Sequence, residues 1–207
     1  MGLPDNARMT TSASTPRLRI TLLWYLALVT LTAVSRSPLP AALNALYDIA
    51  GFLLVVAACL GRVWCSVFIA GRKDAELVTS GPYALCRHPL YALSMVASLG
   101  LGLASHSLVL TAATLAILGT LIRQSVIAEE RYLAARYETR FESYRAHTPR
   151  FWPQRWRQTL PDTTPVRPAI LWKAFVDASA FFILFLLVVA ARAFSDAGIL
   201  PAPFLLP

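Results

Sequence analysis

The most constraining feature of this chain is a succession of apolar runs too long and too numerous for the interior of a soluble domain. ITLLWYLALVTLTAV covers residues 20–34, and a second run covers 42–61 and continues through VWCSVFIA to residue 70. Further runs cover 90–104, 107–128 and 170–194. A helix needs roughly 20 apolar residues to cross the ~30 Å hydrocarbon layer of a bilayer. In that layer only helices and closed barrels satisfy their own backbone hydrogen bonds, and unbroken runs of this length point to helices. Composition agrees: 57% of the 207 residues are hydrophobic and 14% charged, against about 45–50% and about 25% in soluble domains. A soluble globular domain, a disordered chain and a disulfide-stapled secreted module are excluded. The expected fold is all-α, a polytopic transmembrane helical bundle of about five spans.

One domain is expected over 17–207, with a flexible tail rich in Thr, Ser and Pro at 1–16 and no cleavable signal pattern. Only Ser105-His106 separates the third and fourth runs, so they must form an antiparallel hairpin. The third run is the shortest; fifteen residues rise only about 23 Å. Nineteen Lys and Arg against eleven Asp and Glu give a net charge of +8, a balance that suits nucleic acid or a membrane face. With this hydropathy the membrane reading prevails and no nucleic-acid partner is expected. Sixteen of the nineteen basic residues fall in the N-terminal tail, in 62–89 and in 123–169. The positive-inside rule then puts the N-terminus and both long polar segments, 71–88 and 129–168, in the cytoplasm. Arg36, Lys173 and Arg192 are left for the far side or the interface. The expected protein is therefore an integral, multi-pass cytoplasmic or inner-membrane one, with cytosolic metabolites in reach of its polar segments.

Cys59, Cys65 and Cys86 are odd in number and lack a C-x-x-C spacing or a neighbouring His pair. Neither a disulfide framework nor a metal site is expected. Asp48 and Asp177 lie near span ends, where snorkelling or an interhelical hydrogen bond is their simplest role, and neither His106 nor His147 has a partner in the local sequence.

Three segments could carry chemistry. Leu77-Val78-Thr79-Ser80-Gly81-Pro82-Tyr83 leads into Arg87-His88-Pro89-Leu90-Tyr91. Pro89 suits the first turn of the third span, because its missing N–H would be unpaired there anyway. The start of that helix then points its free amides and positive dipole end at the Arg87-His88 loop, a setting that stabilises a carboxylate. The alternative is an interfacial anchor of Arg and Tyr at the headgroups. Glu129-Glu130 sit where the fourth span leaves the membrane, followed by Leu133, Tyr137, Phe141 and Tyr144 at helical spacing, with Arg131, Arg136, Arg140 and Arg145 on other faces. That pattern predicts a cytoplasmic amphipathic helix. Adjacent glutamates diverge by about 100° on a helix, and Glu129, nearer the membrane, is the better ligand candidate. Glu130 reads equally well as a surface acid paired with Arg. Finally, Thr148-Pro149-Arg150-Phe151-Trp152-Pro153 is a stiff segment able to fold back as a cover, or else an aromatic belt, with Arg155 and Arg157 at headgroups.

Taken in order, LVTSGPYALCRHPLY, a membrane hairpin and EERYLAARYETRFESYRAHTPRFWP resemble the isoprenylcysteine carboxyl methyltransferase family, integral membrane enzymes related to phospholipid methyltransferases. The similarity covers residues 72–153, leaving 170–194 as an additional C-terminal span. It implies a cofactor, S-adenosyl-L-methionine, held between the R-H-P-x-Y segment and the glutamate helix. Glu76, Leu77, Val78, Tyr83, His88, Pro89, Leu90, Tyr91, Glu129 and Glu130 are the cofactor-binding positions it implies. Arg87 is carried over as a catalytic-side motif member. Two departures bear on the rest. The family reads F-G where this chain has Tyr137-Glu138, and its eukaryotic members have an acceptor-side arginine where this chain has Ser125. Arg123 is the nearest replacement, on a different helix face. The resemblance implies methyl transfer to a lipophilic acceptor entering from the bilayer, by carboxyl O-methylation of an isoprenylcysteine-like group. N-methylation of a phospholipid or small lipid is the alternative within enzymes; a non-catalytic membrane protein retaining the fold is the alternative outside them. Membrane lipids are expected neighbours, and the oligomeric state is left open.

Overall fold

The computed structural model describes residues 6–70, 72, 76–153, 160, 163–164, 166–199 and 201–206, with side chains from residue 16 onward. Its elements are α1 (Asn6–Ala33), β1 (Ser35–Arg36), α2 (Ala41–Ile69), α3 (Pro82–Leu85), α4 (Pro89–Ala104), α5 (Leu108–His147), α6 (Pro168–Asp196) and β2 (Phe204–Leu205). The five long helices carry the five apolar runs. Among the described residues, α2, α5 and α6 are long and apolar enough to cross a membrane, and α4 is a shorter apolar helix. The chain is an all-helical integral membrane bundle.

Two boundaries differ from the sequence reading. α1 starts at Asn6, so the backbone is helical through most of the segment expected to be a loose tail, with Pro16 inside it. A proline in mid-helix removes one backbone donor and clashes with the preceding turn; ten residues of Thr- and Ser-rich helix precede it. Arg8, Lys73, Arg155 and Arg157 lie outside the residues whose side chains are described. The second difference is the pairing of β1 with β2, Ser35 opposite Phe204 and Arg36 opposite Leu205, in parallel. Two residues per strand carry no sequence signal, since periodicity needs four or more.

Packing follows the small residues. α2 and α4 cross at Gly51 and Gly100, where a Cβ on either would stand 2.6–2.7 Å from the other's carbonyl oxygen. Without hydrocarbon exclusion to drive helices together in lipid, close backbone approach is what small residues provide. Around that crossing Leu28, Val55, Leu101, Ala104, Leu110, Phe185 and Val188 form the main core. A second cluster, Cys65, Phe68 and Tyr83, lies toward the end of α2 with Val78 and Leu90 packed against it.

The two ends of the bundle are chemically different. At one end meet the close of α1, the α4–α5 turn and the last turns of α6. There Arg192 is buried, its NH1 donating to the Ser35 carbonyl at 2.7 Å and its NH2 to the Ser105 carbonyl. Arg192, expected on the far side or at the interface, lies at the end opposite the motif segments and is an interior strut there, because the Ser35 and Ser105 carbonyls and the Ser35 hydroxyl converge on it. Asp48 of α2 reaches the α4–α5 turn, its Oδ1 2.8 Å from His106 Nε2. The opposite end carries residues 76–91 and 129–150, the two motif segments.

Candidate functional site

Gly81 begins the site. Its φ of +59° is one an L side chain rarely adopts, and a Cβ there would run into the Phe68 ring. The turn it permits sets the short α3, with Pro82 at its start, and buries Tyr83 against Cys65 and Phe68. The chain then extends through Cys86 and reaches His88, the N-cap of α4. The His88 side chain makes no capping bond, Pro89 has no N–H, and the first intrahelical bond runs from Ala92 N to His88 O at 3.1 Å. The amides of Leu90 and Tyr91 therefore face outward without an intrahelical acceptor.

α5 delivers its glutamates to this bend. His88 Nε2 lies 3.1 Å from Glu130 Oε1, and His88 Nδ1 lies 3.7 Å from Glu129 Oε2. Arg87 NH1 is 3.1 Å from Glu130 Oε1. Glu130 also takes a forked contact from Arg150, Nε to Oε1 at 3.2 Å and NH2 to Oε2 at 2.5 Å. The two segments that the sequence separates by about forty residues thus close around one locus, with the glutamates dividing the work. Glu130 neutralises cations and is mostly buried; Glu129 keeps 35% of its side chain exposed. The Tyr91 hydroxyl is within hydrogen-bonding reach of Glu129 and Ser125.

A kink makes the closure possible. Glu138 stands at φ 40° and ψ −119° inside α5, at the position where the resembling pattern has Gly. Beyond it the helix changes direction, burying Phe141 and bringing the Tyr144 hydroxyl to the Tyr83 carbonyl at 2.6 Å. Leu133, Tyr137, Phe141 and Tyr144 are its shielded face, and Arg131, Arg136, Arg140 and Arg145 its exposed one, as the amphipathic pattern predicts. The chain then folds back: Arg87 N donates to Pro149 O at 2.9 Å and His88 N to Arg150 O at 3.1 Å. Phe151 packs its ring 6.2 Å from the His88 ring, while Trp152 is 79% exposed. The Thr148–Pro153 segment is therefore a cover for the bend.

Burial outweighs charge at His88. Desolvation pushes its pKa below the ordinary value, against the pull of Glu129 and Glu130, so the ring is neutral at neutral pH. With Nε2–H donating to Glu130, Nδ1 is left as an acceptor on the Glu129 side. Desolvation also lowers Arg87, opposed by Glu130, although a guanidinium stays charged in any protein setting.

Other expected positions take different places. Glu76 is exposed and paired with Arg72 at 3.2 Å. Leu77 lines an open cleft of about 590 Å³ with Ala84, Arg140, Ser143 and Tyr144. Val78 and Leu90 pack on the Tyr83 cluster, and the Leu90 carbonyl accepts from Arg62 at 3.3 Å. Arg123 is exposed on α5, six residues before Glu129 and so roughly 9 Å along the axis; it does not join the site. Beside Ser125 stands a residue the motif reading did not include, Arg17 of α1, whose NH1 donates to Ser125 Oγ at 3.2 Å. Arg150 was likewise overlooked as a partner of Glu130, because its role depends on the fold-back.

The fit of the implied cofactor rests on these groups. The Tyr83 hydroxyl and Arg87 Nε are buried without a protein hydrogen-bond partner, an exceptional state for native polar atoms. Two outward amides beside a carboxylate and a bare imidazole nitrogen match an amino-acid moiety, with its carboxylate and ammonium. Among the described residues, no three His, Cys, Asp or Glu side chains are grouped to hold a metal ion.

Comparison with known proteins places the chain in a family. Residues 45–135 match the isoprenylcysteine carboxyl methyltransferase (ICMT) family. The cobalt-zinc-cadmium resistance protein CzcN of Cupriavidus metallidurans is 40% identical over 153 residues, 73% of this chain and 70% of that protein. The nickel-cobalt-cadmium resistance protein NccN of Alcaligenes xylosoxydans xylosoxydans is 38% identical over 157 residues, 76% of this chain and 73% of that protein. No solved structure matches the chain. With its motif segments joined at one end of a membrane bundle, the chain belongs to the isoprenylcysteine carboxyl methyltransferase family, whose members use S-adenosylmethionine.

Proposed function

We propose that this protein is an S-adenosylmethionine-dependent methyltransferase acting on a lipophilic carboxylate, an isoprenylcysteine-like group that enters sideways from the bilayer. The observation that carries the reading is the junction of the His88–Tyr91 helix start with Glu129. The outward amides of Leu90 and Tyr91 would take the methionine carboxylate, and Glu129 with His88 Nδ1 the ammonium; Glu129 could equally take a ribose hydroxyl. Glu76, Leu77, Val78 and Tyr83 would flank that pocket. When bound, the cofactor supplies a methyl group on a sulfonium, whose sulfur keeps the bonding pair as the methyl carbon leaves.

The chain's own task is then to orient and to exclude water. Phe151 and the Pro149–Arg150 backbone cover the bend, and Glu130 holds Arg87, His88 and Arg150 in place without touching the reacting atoms. Positioning of this kind supplies most of the catalysis when one reactant is already activated. A carboxylate acceptor is ionised at neutral pH and needs no proton removed, whereas an amine acceptor must first lose one. The relatives named for metal resistance say nothing of the acceptor.

Calorimetric titration of S-adenosylhomocysteine into the detergent-solubilised protein tests the cofactor half. His88→Ala and Glu129→Ala should each weaken binding about tenfold or more, the scale of one lost charge-assisted hydrogen bond. Unchanged affinity in both overturns the reading. Methyl label recovered in base-labile ester supports carboxyl methylation, and label in base-stable lipid amine overturns it.

A further inference from the structure

Four guanidiniums stand around the joined motif segments, and they differ in how their charge is met: Arg62 donates to the Leu90 carbonyl and to Ser94 Oγ and lies over the Phe181 ring. Arg87 and Arg150 both face Glu130. Arg17 does not: its guanidinium donates to a neutral hydroxyl, Ser125 Oγ at 3.2 Å, and no carboxylate of the described residues lies within ion-pair distance. It is half-buried on α1, and its backbone carbonyl takes the Thr21 hydroxyl at 3.0 Å, an intrahelical bond that leaves the guanidinium free to project. The helix is tied to α5 independently, by Trp24 Nε1 donating to Thr114 Oγ1 at 3.2 Å. Holding α1 in place therefore does not require Arg17.

The surroundings define what such a charge would receive. Ser125 lies one helical turn before Glu129, and Tyr91 reaches both of them while feeling the Arg17 charge. On the lipid side, Leu18, Leu22 and Leu26 of α1 are 59–65% exposed, an apolar surface continuous with the bilayer. A partly desolvated, unneutralised guanidinium at the rim of an apolar surface is a receptor for an oxyanion attached to a hydrocarbon chain. We propose that Arg17 binds the anionic headgroup of the lipid acceptor, setting it beside Tyr91 and Ser125 on the Glu129 side of the bend. This rests on the methyltransfer reading and names α1 as the element that selects the acceptor. The oxyanion could be a carboxylate or a phosphate.

The test uses the full chain in neutral detergent micelles. Binding of N-acetyl-S-farnesylcysteine, of its carboxamide and of a short-chain phosphatidic acid is measured for wild type, Arg17→Gln and Arg17→Lys, with S-adenosylhomocysteine titrated in parallel. Arg17→Gln should weaken one or both acids by at least tenfold, leave the carboxamide within twofold, and leave S-adenosylhomocysteine affinity unchanged; Arg17→Lys should retain part of the loss. The acid that responds identifies the source, carboxylate or phosphate. Equal weakening of acid and carboxamide, or no change in either acid, overturns the proposal. Failure of the wild type to bind S-adenosylhomocysteine strikes at the methyltransfer reading instead, and retained affinity in the variants shows that they fold.

Discussion

Glu130 and Glu129 are neighbours in sequence with opposite tasks, and the difference is set by the 100° between them on the helix. Glu130 turns toward Arg87, His88 and Arg150 and becomes a hub; Glu129 turns toward Tyr91 and keeps an open edge. The sequence allowed both outcomes for Glu130, as ligand or as paired acid, and only the fold-back of Arg150 decides between them. His88 carries the sharper prediction. A free imidazole titrates near pH 6.5, whereas burial holds His88 below that value despite two adjacent glutamates. Between the two pKa values an unfolded chain takes up the proton and the folded one resists it. The closed bend is therefore fully stable above about pH 6.5 and weakens as pH falls through that window. Carbon-labelled histidine NMR should resolve three ring signals, from His88, His106 and His147, with His88 identified by its loss in His88→Gln. A His88 midpoint below 6.5 is expected; one above it would mean that the glutamates outweigh burial.

At the scale of the element, α2, α4 and α6 were legible to within a few residues, because uninterrupted apolar runs bounded by Pro40, Pro89 and Pro168 leave little choice of start. α5 was legible as far as its amphipathic stripe, but not in its course. The reversal at Glu138 turns on one backbone conformation, and a glutamate gives no hint of positive φ. The only trace lay in the comparison of Tyr137-Glu138 with an F-G pattern. Such a conformation costs a residue with a Cβ about 1–3 kcal/mol, partly offset by the greater freedom that glycine has in the unfolded chain. Glu138→Gly should therefore raise the thermal midpoint of the detergent-solubilised protein by the equivalent of about 1 kcal/mol, while Glu138→Ala should bring no such gain. Equal effects of the two would place the cause in the lost carboxylate rather than the backbone. Arg17 was invisible for a different reason: its partner is 108 residues away, and no local pattern reports a contact between the first helix and the fifth.

The whole molecule separates its holding and working ends. α4 spans the distance between them, with Pro89 at the glutamate locus and Ser105 at the far end; sixteen residues make about 24 Å. At that far end Arg192, 3% exposed, donates to the carbonyls of Ser35 and Ser105, and Ser195 Oγ adds a second bond to Ser35 at 2.7 Å. One guanidinium thus ties the ends of α1, α4 and α6, next to the Ser35–Phe204 strand pair. A fork of donors is what lets a single side chain bridge carbonyls from different helices, and an ammonium lacks that geometry. Arg192→Ala leaves the Ser105 carbonyl without this donor, at a cost of about 1–3 kcal/mol for a buried polar group left unpaired, and Arg192→Lys should recover only part of it. Because the glutamate locus lies at the other end, S-adenosylhomocysteine affinity measured well below the transition should stay within twofold of wild type while the thermal midpoint falls. A midpoint unmoved by either substitution would mean that water or neighbouring donors satisfy those carbonyls. An affinity loss that matched the stability loss would mean that α4 transmits strain along its length, and the two ends would then have to be treated as one cooperative unit.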